Sequence, residues 1–272
     1  MRDLDDLTIH PAPPSPWHQI NVRVPDEQTG AARLAAVMGE ARANGLINAW
    51  FFIRKGQWRV RFRPTAPSVA EQAHAAVLGE LADLRRPGDV ADARGVAYEP
   101  ETYAFGGPVG MENTHRLWHA DSHHIVNYLA GLNADGQPDR RREISILLLS
   151  AMLRAAGLDW YEQGDVWARV ADEDRPLDPA PTPEHLDHLV RQMRQLMLAE
   201  TIAGSIMHTA SWLAAFTDAG QAFTRHSQRA ELTRGLRRVL GHQFIFHWNR
   251  LGLTARKQAL LTAAARNTVL DG

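Results

Sequence analysis

Three arginines alternate with apolar residues in Trp58-Arg59-Val60-Arg61-Phe62-Arg63. Side chains of a strand point alternately to its two faces, so a strand here gathers three guanidinium groups on one face and an apolar row on the other. Such a face is either the solvated side of a half-buried strand or a binding surface for carboxylate or phosphate, whose oxygens match the planar guanidinium fork. Just upstream, Trp50-Phe51-Phe52-Ile53-Arg54 ends in a fourth arginine. Glu99 and Glu101 flank Pro100; on one strand they share a face, where paired carboxylates either do acid–base work or anchor an arginine. Near the C-terminus the run from His242 to Gly252 carries His247, Asn249 and Arg250. An imidazole titrates near neutrality and moves protons in either direction, but a single histidine among apolar neighbours is also an ordinary core residue.

Other polar groupings point less directly at chemistry. His115, His119 and His123 fall four apart, with His124 adjacent; two histidines at that spacing can bind zinc, yet no HExxH-type partner accompanies them. The expectation is a surface stripe and no metal site. There is no cysteine, which removes thiolate nucleophiles, thiolate ligands and disulfides together. Of the 30 basic residues only Lys55 and Lys257 are lysine, leaving 28 arginines; a Schiff-base mechanism has two candidates, and carboxylate binding falls to arginine. No dinucleotide, P-loop, nucleophile-elbow or kinase signature occurs, so nucleotide cofactors are unsupported. The formal charge of −1 sets up no field to recruit nucleic acid or an anionic membrane. The N-terminus is acidic and Pro-rich without an apolar signal core, and the longest apolar run, 144–153, is shorter than the about 20 residues that span a bilayer. A soluble cytoplasmic protein is the expectation.

The elements that must position these residues follow from periodicity. Residues 1–16 read as a flexible arm. Residues 18–24 alternate as a strand, and 29–44 carry Leu34, Val37, Met38 and Ala41 at helical spacing. Strands over 48–54 and 58–63 flank the turn Lys55-Gly56-Gln57 as a hairpin. Ser68, with Glu71 three residues on, predicts a capped helix to about residue 84, and 95–105 returns as a strand. The order βαββαβ is the ferredoxin-like arrangement. Beyond it helices are predicted over 111–129, 141–156, 183–216, 227–250 and 254–268, with a linker over 172–183. The fold class is α+β: an antiparallel α/β half over 17–107, then a mainly helical half over 108–272, together one domain.

The segment from Tyr98 to Ser122, with its Phe105-Gly106-Gly107-Pro108 turn, is similar to the one that marks the C-terminal, glutamate-eliminating domain of lantibiotic dehydratases. That family includes free-standing thiopeptide-type bacteriocin biosynthesis proteins. The aromatic strand ending at Arg54, the hairpin arginines Arg59 and Arg61, and the closing His247-Trp248-Asn249-Arg250-Leu251-Gly252 match its other blocks in order. Arg141-Arg142-Glu143 and the run from Trp160 to Trp167 resemble free-standing members too. The resemblance implies a lyase that matures a ribosomally made precursor peptide, leader plus core. It further implies that a separate glutamyl-tRNA-dependent subunit glutamylates Ser or Thr and that this chain eliminates glutamate to give dehydroalanine or dehydrobutyrine, with no metal or organic cofactor. It implies Arg59 and Arg61 as binders of the glutamyl group and His247 as proton carrier, with Arg54, Arg63, Glu99, Glu101, Asn249 and Arg250 contacting substrate. The family turn is usually preceded by an arginine where this chain has Ala104; Arg54 and Arg63 are left to supply that charge. Two other functions stay open: a pyridine synthase joining two dehydroalanines by a formal [4+2] cyclisation, and a subunit that only docks leader peptide or partner, for instance by adding a strand to a sheet edge.

Overall fold

The computed structural model describes residues 15–24, 26–82, 96–132, 138–174, 177, 182–199 and 209–271. Most of the 1–16 arm and part of the 172–183 linker lie outside them. The N-terminal half runs β1 (His18–Val22), α1 (Glu27–Ala43), β2 (Ile47–Lys55), β3 (Gln57–Pro64), α2 (Ala70–Ala82) and β4 (Val96–Ala97). The sheet order is β2-β3-β1-β4 with every neighbouring pair antiparallel, which is the ferredoxin-like order the sequence predicts. Among the described residues no strand follows Ala97.

Local chemistry sets the boundaries. Asp26 caps α1 by accepting from the Thr29 amide at 2.8 Å, and Leu34, Val37, Met38 and Ala41 form its buried stripe. The capping box expected from Ser68 and Glu71 does not start α2: Pro67 leads a 3-10 turn over Pro67–Val69, with Ser68 inside it. Proline at a first helical position favours such a start because its missing N–H is not needed there. The strand predicted over 95–105 shrinks to two residues. Pro100 has no N–H to give to a ladder, and from Glu101 the chain bends into a turn whose Ala104 and Phe105 amides both donate to the Glu101 carbonyl.

Gly106 and Gly107 then take φ of 84° and 90°, a region open to glycine at little cost. Pro108 follows in the first turn of α3 (Gly107–Ala130). The remaining helices are α4 (Arg141–Ala155), α5 (Trp160–Arg169), α6 (Pro183–Leu198), α7 (Thr209–Gln228), α8 (Leu236–Leu251) and α9 (Ala255–Leu270). Of the helix predicted over 183–216, α6 and the start of α7 are seen, and residues 200–208 lie outside the described ones. The apolar stripe through Met193 and Met197 runs out where helical spacing next meets Glu200, Thr201 and Gly204, and α6 ends at Leu198. The helix predicted from 227 starts at Leu236 instead, after Ala230 has taken a left-handed φ of 54°. The apolar run of α4 is central: Ile144 to Leu153 are all buried.

The sheet is covered on both sides. Trp50, Phe52, Trp58, Val60 and Phe62 join the large core shared with α1, α2 and the helical half. On the other face Ala49, Phe51 and Ile53 pack with Trp17, Tyr98, Phe105, Met111 and Trp118. No helix among the described residues is long and apolar enough to cross a membrane.

Candidate active site

Strand alternation delivers the arginine face. Arg59, Arg61 and Arg63 leave β3 on the side of the smaller aromatic cluster, opposite Trp58, Val60 and Phe62. Because β3 lies between β1 and β2, Arg61 sits over the middle of the sheet, in register with Gln19 and Phe51. It is 6% exposed. Its Nε donates to Gln19 Oε1 at 2.7 Å, and its guanidinium lies 4.2 Å from the Tyr98 ring centre and 5.4 Å from that of Phe51. Nη1 is enclosed without a hydrogen-bond partner. Arg59 is half-buried and has neither an acid nor a hydrogen-bond partner among the described residues. Arg63 donates to Asn48 Oδ1 at 2.8 Å, stands 3.7 Å from Glu112 and lies over Trp17.

Beneath the arginines is a polar pair that sequence reasoning did not single out. Tyr98 Oη and His115 Nε2 are 3.0 Å apart, and both residues are buried. Burial pushes the His115 imidazole down to about 3, with Arg63 and Arg61 adding to it. Burial likewise pushes the Tyr98 phenol up, against the pull of Arg61. The histidines predicted as a surface stripe divide: His115 is in the core, His119 Nδ1 meets the Trp50 backbone and His123 contacts Asn127. Among the described residues no group of three acidic or imidazole side chains gathers as a metal site. Glu99 and Glu101 are exposed, and the Glu101 charge helps keep Arg61 protonated against its burial.

Three of the expected substrate contacts are occupied elsewhere. Arg54 emerges on the opposite face of the sheet, over Trp58, where it pairs with Glu27 and donates to the Arg250 carbonyl at 2.8 Å. Arg141 joins the same Glu27 at 2.8 Å, so one carboxylate of α1 ties β2 to α4, and both arginines also donate to carbonyls at the end of α8. Burial acts to raise Glu27, but the hydrogen bonds and charges of Arg141 and Arg54 hold it below the usual carboxylate range. Arg250 is 1% exposed and binds Asp121 through Nε and Nη2 at 2.9 and 2.7 Å. Asn249 accepts from Gln258 at 3.1 Å.

His247 lies outside the arginine face. It is fully buried, with Nδ1 2.9 Å from Asp121 Oδ2, and Phe216 and Trp212 crowd its ring. Trp212 Nε1 donates to the same carboxylate at 2.8 Å. Burial alone would raise Asp121; His247 and Arg250 instead hold it below its usual value. Between this knot and Arg61 stand two rings: Arg250 lies over Trp118, Trp118 packs on Phe51 and Phe51 lies under Arg61. Among the described residues no contact joins His247 to Arg59 or Arg61, and its Nε2 is enclosed without a hydrogen-bond partner. Asp121 had a legible signal. It follows Leu117 and Trp118 and precedes Ile125 on the apolar stripe of α3, and a carboxylate on a buried stripe requires a cationic partner.

At the turn, Ala104 packs its methyl against the aromatic cluster. A cation reaches this turn from elsewhere: Arg234 Nη1 is 3.4 Å from the Ala104 carbonyl and 2.9 Å from His242 Nε2, and its guanidinium lies 5.4 Å from the Tyr103 ring. Neither Arg54 nor Arg63 fills that place.

The comparisons with known proteins agree on the architecture. The profile of the family described as "Lantibiotic biosynthesis dehydratase C-term" matches residues 17–269. A crystal structure of the tRNA-dependent lantibiotic dehydratase MibB from Microbispora sp. 107891 superposes with a TM-score of 0.67 at 22% identity. That match covers 97% of this chain and 29% of MibB, so the chain spans less than a third of that protein. A crystal structure of TsrL superposes with a TM-score of 0.64 at 16% identity, covering 92% of this chain and 93% of TsrL. A search of curated protein sequences finds no match. With the profile running from Trp17 almost to the last helical turn, the chain belongs to the lantibiotic biosynthesis dehydratase C-terminal family.

Proposed function

We propose that this chain is the elimination subunit of a split dehydratase, acting on a ribosomally made precursor peptide whose Ser or Thr has been glutamylated by a separate protein. The observation that carries the reading is the arginine face: Arg59 without an acid partner among the described residues, beside Arg61 with an enclosed, unpartnered Nη1. The reaction asks for such a face. The exposed Glu101 carboxylate, whose charge reaches Arg61, is the base this face offers for the Cα proton. The electron pair of that C–H bond becomes the Cα=Cβ double bond, the Cβ–O bond breaks, and glutamate leaves with the pair as a carboxylate. Negative charge grows on the departing oxygen, where fixed guanidinium groups stabilise it most. His247 acts at a distance, by holding α8 against α3 through Asp121.

The enclosure of His247 and the bare methyl of Ala104 favour one second reading. The same face would then take a peptide already dehydrated and join two dehydroalanines in a formal [4+2] cyclisation. A purely docking subunit would change neither peptide. Incubating the protein with a glutamylated precursor and with a pre-dehydrated one, and following both by mass spectrometry, separates the three. Loss of glutamate from the first is the expected result, and a wild-type protein that leaves it intact sinks the elimination reading.

A further inference from the structure

The turn after Glu101 has a guanidinium at each end. Arg61 lies 4.2 Å from the ring centre of Tyr98, three residues before Glu101, and Arg234 donates to the Ala104 carbonyl at 3.4 Å. The Ala104 amide donates to the Glu101 carbonyl at 3.0 Å, the i to i+3 bond of a tight turn, and residues three apart on such a turn lie on neighbouring parts of its surface.

Arg234 is held in place without being neutralised. A guanidinium only donates, so His242 Nε2 is the acceptor of the 2.9 Å contact and its ring proton sits on Nδ1. A backbone carbonyl and a neutral imidazole leave the full positive charge available. No carboxylate pairs with Arg234 among the described residues, it is only half-buried, and Tyr103 beside it is 76% exposed. An oriented cation next to an exposed aromatic ring presents the turn to an anionic group from solvent.

Resting on the elimination reading above, we propose that Arg234 is a specificity-determining residue that binds the free side-chain carboxylate of the glutamyl group. An acyl group delivered from an aminoacyl-tRNA is joined through the carboxyl that the tRNA carried, so the glutamyl ester keeps its side-chain carboxylate. Glutamate therefore departs with two anionic ends. Arg59 and Arg61 meet the carboxylate that forms as the Cβ–O bond breaks, and Arg234 meets the one already present. His242 and the Ala104 carbonyl set the direction of the fork.

The test compares two synthetic peptides that differ in one group: a seryl glutamate ester, and the glutamine ester that replaces the side-chain carboxylate with an uncharged amide of the same shape. Wild type is expected to eliminate from the first at least about 30-fold faster in kcat/KM, the range seen when one partner of a charged hydrogen bond is lost. Arg234→Gln is expected to slow the glutamate ester by that factor and the glutamine ester far less, and so to remove most of the preference. Arg234→Lys, a point charge without the fork, is expected to restore part of it. A thermal melt within about 2 °C of wild type for each variant excludes misfolding as the cause; this is the expected result for a half-buried side chain away from the core. If wild type eliminates from the glutamate ester but Arg234→Gln keeps the preference, the assignment of Arg234 is wrong while the elimination reading stands. If wild type eliminates from neither, both fall together.

Discussion

His247 Nδ1 lies 2.9 Å from Asp121 Oδ2, inside a core where both side chains are sealed from solvent. With Arg250 and Trp212 on the same carboxylate, the contact ties α3, α7 and α8 at one point. The histidine that most resembles a proton carrier in the sequence is thus placed to hold three helices together.

His247→Ala is accordingly expected to act on stability first. Asp121 keeps Arg250 and Trp212, so the cost is the lost hydrogen bond plus the cavity left beside Phe216, about 2–4 kcal/mol. In a chain of this size that lowers the midpoint of thermal unfolding by roughly 10 °C. Elimination per folded molecule, measured well below the new midpoint, should fall far less than in an Arg61 variant. A selective loss of kcat with an unchanged melt would return His247 to the chemistry.

Arg59→Ala and Arg61→Ala should leave glutamylated peptide accumulating in a reconstituted system. Losing a charged hydrogen bond whose partner stays desolvated costs about 2–5 kcal/mol, which is roughly 30- to several-thousand-fold if expressed in the transition state. Arg61, which also fills the space over Tyr98 and Phe51, should lose some stability as well. Mass spectrometry of the peptide gives the first readout and a urea titration the second.

Acid should weaken the fold through His115. Unfolded, its imidazole takes a proton as the pH drops below about 6.5; folded, it stays neutral down to about 3. Between those values the unfolded chain binds more protons, so stability falls as the pH falls and is fully present above the window. His119, His18 and His123 are lowered by burial in the same direction. Replacing His115 with Gln keeps an acceptor for Tyr98 and removes one share of the slope, on the order of a few kcal/mol across the window. An unfolding series from pH 7 to pH 4 on both proteins measures it, and equal slopes would contradict the assignment.

Gly252→Ala should loosen the joint between the halves. Gly252 has a φ of 74°, and a Cβ built there falls 2.7 Å from Arg54 Nη1 and 3.0 Å from Glu27 Oε1. The left-handed conformation costs a non-glycine residue about 1–2 kcal/mol, and Arg54 must also shift from its acid. A destabilisation of roughly 1–3 kcal/mol by chemical denaturation is expected, with peptide binding at the arginine face unchanged.

The sheet half was legible because its signals are local. Alternation in Trp58-Arg59-Val60-Arg61-Phe62-Arg63 specifies both the strand and its two faces, and the hairpin turn sets the register. Of the candidate site, the part legible in the sequence is the part that lies on that strand. Arg54 reads as one of the same set, but two-residue periodicity on β2 sends it to the opposite face, where a distant Glu27 claims it. Arg250 and His247 carry no local mark of their partner, which lies on another helix 126 residues from His247. Arg234 was invisible for the same reason: its place beside Ala104 depends on how the start of α8 docks against the turn, and no spacing within either segment encodes it.

The outer edge of β2 has a bearing on solubility. This strand, Ile47–Lys55, is aromatic and aliphatic almost throughout, and it ends the sheet. An uncovered edge of that composition is a template for fibrillar stacking. Here the outward amides of Trp50 and Phe52 are taken by His119 Nδ1 and Ser122 Oγ of α3, at 3.2 and 3.3 Å. Two side chains of a later helix thus act as gatekeepers for an earlier strand. During synthesis β2 leaves the ribosome before α3, so its edge stays unguarded until that helix docks.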